Sequence, residues 1–231
     1  MFEYIREQFS YNVEWRYRRN LFIRFFSMVL LLSLFYFSFN RVWGEVKPIT
    51  GYYNEYLYID GTAIKEDIVF LENSLDRLPK WLIETHQKTG GIIYLKSTPF
   101  EKVFHKEYKR EIQPIGTFHT GNNNIKVFNE IHSMENTLFH EYGHFLDKLF
   151  SVSDSKEFQE IFEAERSKFR EKIRSSDYYF LSESEYFAEA FSIYISNGKK
   201  LEKYCPMTYN IIEKYVERGT ENEHRQIESK A

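Results

Sequence analysis

Two histidines and a glutamate in the segment HEYGH have the residue types and the spacing of a metal site. His140 and His144 are four residues apart, so on a helix both imidazoles lie on one face, one turn apart. Two neutral imidazoles at this spacing are typical ligands of a zinc ion. Glu141 projects to the side of that face, where a carboxylate can accept a proton from a water molecule at the metal. The pattern therefore predicts a site for metal-assisted hydrolysis.

The residues around this pattern are strongly apolar, which favours a buried helix. Burying two histidines and a glutamate without partners is costly, and a bound metal ion removes that cost. The alternative interpretation, polar side chains on a solvated helix face, fits such flanks poorly. The flanking apolar residues are Leu138, Phe139, Phe145, Leu146, Leu149 and Phe150.

A zinc site of this kind needs a third protein ligand from elsewhere in the chain. The metzincin pattern is excluded, because Asp147 and Phe150 occupy the positions of its glycine and its third histidine. The segment SESEYFAEAFSIYI supplies Glu185 and Glu189, one turn apart on a second apolar helix. We expect Glu185 to be the third ligand and Glu189 to hydrogen-bond the outer nitrogen of a ligating histidine. A pair of surface glutamates is the alternative.

HEYGHFLD, followed further along the chain by SEYFAEAF, resembles the catalytic domain of anthrax lethal factor and the related secreted Pro-Pro endopeptidases. The resemblance covers roughly residues 64–217 and implies a zinc peptidase of the gluzincin type. It also implies that a tyrosine ahead of the zinc glutamate, here Tyr178, donates a hydrogen bond to the oxyanion of the reaction. Tyr179 takes this role if the loop shifts by one residue. A tyrosine that serves only in packing is the rival interpretation.

The spacing of apolar residues predicts helices before and after a small sheet, with an interruption at Pro79. We predict a helical stripe from Ile64, further helices at 99–111, 133–150, 155–173, 182–197 and 206–217, and short strands at 90–97 and 124–128. This order favours an α+β fold, a zincin-like metallopeptidase domain that is mostly helical with a small sheet. The resemblance to zincins implies that the strand at 124–128 is an edge strand that pairs with an extended substrate, and His119 just ahead of it is a spare ligand candidate.

The N-terminal part contains a long apolar run that we extend to residues 21–39. Its length approaches that of a membrane span, and the arginines that precede it predict a cytoplasmic N-terminus. A cleaved signal peptide, which would give a secreted protein, is the alternative. The predicted organisation is a short cytoplasmic segment at 1–20, a transmembrane signal-anchor at 21–39, a linker at 40–63, the zinc metallopeptidase domain at 64–218 and a polar tail at 219–231.

The composition excludes several other kinds of function. A net charge of −3 argues against a nucleic-acid partner. Cys205 is the single cysteine, which excludes an intramolecular disulfide and a CxxC site. We therefore predict a zinc-dependent endopeptidase at the cell membrane that hydrolyses an extracytoplasmic protein or peptide, with Glu141 as general base. The alternative is a non-catalytic zincin-like surface or binding protein.

Overall fold

The structure, a computed structural model, divides the chain into two units, Met1–Lys47 and Pro48–Ala231. In the first unit the described residues 27–31 are helical. The membrane span predicted at 21–39 lies largely outside the described residues. Within the part of the chain that is described, no helix has the length and apolar character needed to cross a bilayer. The structure describes residues 25, 27–31, 47–105, 110–174, 180 and 182–228.

The described residues of the second unit form two strands, two helices, five further strands and then four long helices. The strands are β1 (Ile49–Tyr52), β2 (Leu57–Ala63), β3 (Ile93–Lys96), β4 (Val103–His105), β5 (Arg110–Ile112), β6 (Gly116–His119) and β7 (Asn124–Phe128). The helices are α1 (Lys65–Leu75), α2 (Lys80–Lys88), α3 (Met134–Phe150), α4 (Lys156–Lys172), α5 (Glu183–Tyr204) and α6 (Pro206–Glu228). The fold is therefore α+β and mostly helical with a small sheet, as predicted.

Five strands form the main sheet in the order β1-β2-β3-β7-β6, while β4 and β5 pair separately. The central strands β2, β3 and β7 are parallel, and β1 and β6 run antiparallel to their neighbours at the two edges. Alternate residues of the central strands are buried, because side chains of a strand point to opposite faces in turn. Helix α3 packs against β6 and β7, so it lies next to one edge of the sheet.

The most extensive contact between helices joins α3 to α5. Gly143 lies where these two helices approach: a Cβ atom there would stand 2.7 Å from the Cα of Ala188 and 2.9 Å from its carbonyl oxygen. No side chain fits in that space without moving backbone. The glycine inside HEYGH therefore lets α5 lie directly against the helix that carries the histidines.

Most of the predicted helices are confirmed, including the interruption at Pro79 between α1 and α2. The helix predicted at 99–111 is wrong, since β4 and β5 pair there with Val103 opposite Ile112. The apolar residues Phe100, Val103, Phe104 and Tyr108 are spaced as on one face of a helix, but pairing between β4 and β5 satisfies the backbone groups there instead. Helix α6 reaches Glu228, beyond the predicted end at 217 and into the predicted polar tail at 219–231.

The linker predicted at 40–63 is wrong from Ile49 onward, because β1 and β2 belong to the main sheet. Its tyrosines suggested a connector. However, Leu57 and Ile59 alternate with polar residues and are buried in the core with 0% and 1% of their surface exposed. Aromatic and β-branched residues in alternation are favourable in a strand. The folded domain therefore begins before Ile64.

Candidate metal centre

Helix α3 places the two imidazoles of HEYGH on the face that meets α5. The Nε2 atom of His140 lies 3.2 Å from Oε2 of Glu185, and the Nε2 atom of His144 lies 3.6 Å from Oε1 of the same carboxylate. One ligand atom from each of the three residues lies within 4.8 Å of the others. The structure thus brings the three residues predicted as metal ligands into one cluster.

The start of α5 determines where the carboxylate of Glu185 stands. Ser182 is the N-cap residue, and its hydroxyl accepts a hydrogen bond of 3.2 Å from the backbone N–H of Glu185. This bond satisfies one of the N–H groups that a helix leaves without an internal partner. Glu185 therefore occupies the first turn of the helix, and its side chain extends towards α3.

The chemistry of the cluster fits a zinc ion. Two imidazoles and a carboxylate are the donor set of many catalytic zinc sites, in which a fourth position is left for water. Glu185 Oε2 is buried and lies 3.2 Å from Nε2 of His140, and the described residues give it no well-formed hydrogen bond. A buried carboxylate oxygen without a well-formed hydrogen bond is the environment expected of an atom that binds a cation.

Electrostatics in the cluster also favour a positive charge between the helices. Burial alone would lower the pKa of His140, but the carboxylates of Glu185 and Glu189 outweigh it and raise that pKa to about 10. Burial also opposes ionisation of Glu185, yet its contacts with His140 and His144 lower its pKa to about 2. In the absence of metal, a proton on His140 therefore supplies the positive charge that the two carboxylates require.

Glu189 lies one turn after Glu185 and contacts the other side of His140. Its Oε2 atom is 3.3 Å from His140 Nδ1, and its Oε1 atom accepts a 2.7 Å hydrogen bond from Nε of Arg174. The side chain of Glu189 is only 4% exposed, so these partners balance a buried charge. The sequence predicted that Glu189 lies beside a histidine, but it did not predict the contact with Arg174. Arg174 follows the end of α4 and belongs to no periodic pattern or motif that would have marked it.

The outer nitrogen of His144 has a different partner. Its Nδ1 atom lies 3.3 Å from Oγ of Ser184, and Ser184 in turn donates a 3.0 Å hydrogen bond to Oδ2 of Asp147. Sequence reasoning used Asp147 only to exclude the metzincin pattern and did not consider Ser184. The sequence feature that could have indicated a role for Asp147 near His144 is its position one turn after that histidine on the same helix.

Glu141 is 5% exposed and lies next to the cluster beside strand β6. Burial is the main cause that raises its pKa above the ordinary value for a glutamate, while the nearby histidines act in the opposite direction. A Cβ atom at Gly116 of β6 would stand 2.5 Å from Oε1 of Glu141, so a larger residue at 116 would require this carboxylate to move. A carboxylate with a raised pKa is suited to accepting and returning a proton.

A cleft of about 550 Å³ opens beside the cluster, between β6 and the helices α3 and α5. The strand predicted to border it was β7, but β7 lies between β3 and β6 inside the sheet. That prediction is wrong, and β6 is the edge strand next to the cleft. The cleft is lined by residues of β6, of α3 and of the start of α5, among them Gly116, Thr117, Phe118, His140, Glu141, His144, Lys148, Ser184 and Glu185.

Two further candidates from the sequence lie elsewhere. His119 lines a separate cavity on the outer face of the sheet together with Tyr58 and Tyr94, and it is not part of the cluster. Tyr178 and Tyr179, the candidates for the oxyanion donor, lie outside the described residues.

The fold and the cluster together are consistent with a zincin-like domain: two packed helices bring an HEYGH segment and a downstream glutamate together beside the edge of a mixed sheet. The chain belongs to the anthrax toxin lethal factor family. The family model described as "Anthrax toxin lethal factor, N- and C-terminal domain" matches residues 52–215, a stretch that contains all of the cluster.

Among solved structures, the chain is similar to the Pro-Pro endopeptidase PPEP-2 from Paenibacillus alvei. The TM-score is 0.56 with 21% sequence identity, and the match covers 68% of this chain and 96% of the other. At this identity the likeness establishes the shared fold. The comparison with curated proteins found no match.

Proposed function

We propose that this protein is a zinc-dependent endopeptidase that acts on a protein or peptide substrate. The observation that carries the proposal is the convergence of His140, His144 and Glu185 within 4.8 Å, with the buried carboxylate of Glu141 beside them. Membership of the lethal factor family and the fold shared with a Pro-Pro endopeptidase support the same class of reaction.

In this proposal His140, His144 and Glu185 hold the metal ion. When bound there, zinc supplies a Lewis acid that polarises a peptide carbonyl and makes a water molecule more acidic. Glu141 accepts a proton from the attacking water and returns it to the amide nitrogen that leaves, a role that suits a carboxylate whose pKa is raised by burial. Glu189 orients His140 through Nδ1 and is not one of the three residues of the described cluster.

The substrate would lie along β6. An edge strand has backbone N–H and C=O groups without partners, and an extended peptide can pair with them. Such pairing would carry the peptide past Gly116 and Glu141, which both line the cleft. Backbone pairing gives affinity independent of sequence, so the side-chain preference would come from the cleft walls.

Tyr178 is proposed as the donor that stabilises the oxyanion, with Tyr179 as the neighbouring candidate. The family resemblance and the need for a donor opposite the metal support this role. We also propose that the domain works outside the cytoplasm, held by the apolar segment 21–39 or released after its cleavage. The apolar length of that segment and the arginines before it support this location.

The central test replaces the proposed general base. We expect Glu141→Ala to bind zinc like the wild type and to lose activity by about several hundred-fold, because only proton transfer is removed. Cleavage of a peptide library by purified protein, with and without a chelator, measures activity, and elemental analysis measures bound zinc. Glu163→Ala, an exposed glutamate on α4, is the matched control and should keep full activity.

Full activity in metal-loaded Glu141→Ala would overturn the mechanism. If the wild type binds zinc and cleaves nothing in the library, the result would favour the non-catalytic binding protein instead.

A further inference from the structure

The two imidazoles of the cluster are held in different ways. His140 meets a carboxylate directly, whereas His144 reaches the carboxylate of Asp147 through the hydroxyl of Ser184. Asp147 is 7% exposed, and it also accepts hydrogen bonds of 2.7 Å from the backbone N–H and 2.6 Å from the hydroxyl of Ser153. Asp147 therefore joins α3, the start of α5 and the turn after α3 in one hydrogen-bonded group.

The donors and acceptors in this group allow only one direction for each bond. An ionised carboxylate accepts and cannot donate, so Ser184 must use its single hydroxyl proton in the 3.0 Å bond to Asp147. The oxygen of Ser184 is then an acceptor towards His144, which requires the proton of the neutral imidazole to sit on Nδ1. The lone pair is consequently on Nε2, the nitrogen that faces Glu185 at 3.6 Å.

We propose that Ser184 and Asp147 are positioning residues that hold His144 in the tautomer and orientation in which Nε2 binds zinc. The proposal rests on the zinc site of the proposed function and adds two residues to it. Groups that bond the outer nitrogen of a metal-binding histidine fix the ring and raise its basicity, and their loss typically weakens metal binding by about 10–100-fold. Ser184 bonds His144 at Nδ1, and Asp147 bonds Ser184, so both residues act on the metal through His144.

Ser184 is the better position for a test, because Asp147 also bonds the turn at Ser153 and its replacement would disturb the local fold. We expect Ser184→Ala to weaken zinc binding by about 10–100-fold, measured by competition with a chromophoric chelator. Ser184→Thr, which restores the hydroxyl, should recover affinity to within about threefold of the wild type. The cobalt-substituted Ser184→Ala protein should show an altered ligand-field spectrum, whereas the threonine variant should match the wild type.

Ser192→Ala is the matched control. Ser192 lies on the same helix, is buried, and donates a 3.1 Å hydrogen bond to the backbone carbonyl of Asn136 on α3. This variant loses a bond between the same two helices but leaves His144 untouched, so its zinc affinity and cobalt spectrum should equal those of the wild type. An equal loss in both alanine variants would mean that Ser184 acts only through helix packing, which overturns the proposal.

Unchanged zinc affinity in Ser184→Ala would overturn the positioning role while leaving the proposed peptidase intact. A wild-type protein that binds no zinc would overturn the proposed function itself, and the role of Ser184 with it. Long-range proton–nitrogen spectra of the zinc-loaded wild type give a direct reading of the tautomer: protonation of His144 at Nδ1 is expected, and protonation at Nε2 would contradict the assignment.

Discussion

At the scale of single residues, the main feature of the site is a pair of carboxylates whose negative charge is balanced by a positive charge beside them. Glu185 and Glu189 present two carboxylates to His140 from opposite sides of its ring, at 3.2 and 3.3 Å. Both carboxylates are largely buried, so an unbalanced negative charge there would be costly. The proton on His140 balances the charge when metal is absent, and a divalent cation balances it more completely. Metal binding and protonation of His140 are therefore competing events.

This competition predicts how the stability of the metal-free protein depends on pH. The pKa of His140 is raised to about 10 in the folded chain from 6.5, so its contribution to stability is complete below 6.5 and is lost as the pH rises through 10. We expect the free energy of unfolding of chelator-treated protein, measured with urea, to fall between pH 6.5 and 10. The free energy of unfolding should fall less over this pH range in His140→Gln. An equal fall in the two proteins would contradict the assignment of a proton to His140 in the metal-free protein.

At the scale of elements, the first turn of α5 positions the glutamate of the site. Ser182 caps this helix through the N–H of Glu185, and Ser155 caps α4 in the same way through the N–H of Phe158, both at 3.2 Å. The two caps are chemically alike, but only one of them contacts the backbone of a proposed ligand. Comparing variants of Ser182 and Ser155 therefore distinguishes the contribution of a cap to stability from its contribution to the geometry of the proposed metal site.

We expect Ser182→Ala and Ser155→Ala each to lower the free energy of unfolding of the metal-free protein by about 1 kcal/mol, since each loses an N-cap bond. Only Ser182→Ala should also weaken zinc binding, because the first turn that carries Glu185 becomes less ordered. Urea denaturation with chelator gives the first quantity and zinc titration the second. Equal zinc affinity in both variants would show that the cap does not position the ligand.

At the scale of the whole molecule, the proposed metal site joins two helices that are distant in the chain. His140 and His144 lie on α3, while Glu185 follows after the intervening helix α4. A ligand that binds the folded state and not the unfolded state stabilises the fold by mass action. The proposed zinc ion therefore contributes to the stability of the domain as well as to its chemistry.

We expect zinc at about a thousandfold above its dissociation constant to raise the free energy of unfolding by about 4 kcal/mol relative to chelator-treated protein. Glu185→Gln should lose most of this difference, because an amide is a poor zinc ligand. Glu183→Gln, in the same turn of α5 but outside the cluster, should keep it. Thermal unfolding with and without zinc measures the effect, and a zinc-independent midpoint in the wild type would contradict the proposed site.

Part of the fold and of the site was predictable because it depends on short-range geometry. The four-residue spacing of His140 and His144 determines that they share a helix face, whatever the rest of the chain does. The apolar stripes of the long helices have the same local origin. The segment 99–111 is the exception among the helix predictions, because its apolar spacing fits a helix while β4 and β5 pair with each other as strands.

The remainder depends on contacts between residues that are far apart in the chain. Sequence periodicity does not reveal that β6, and not β7, forms the edge beside the cleft, because strand order follows from how all five strands pack. The same is true of Ser184 and Asp147, which meet only because α5 crosses α3 at their level.

The sequence by itself determined the chemistry available to this protein: two imidazoles and a glutamate on one helix, and a second pair of carboxylates on another. Only the tertiary structure decided which carboxylate faces the imidazoles, which strand borders the cleft, and how Gly143 lets Ala188 approach closely enough for the two helices to share one site. The physical reason is that hydrogen bonds within a helix set local spacing, whereas burial of apolar faces sets which helices and strands meet.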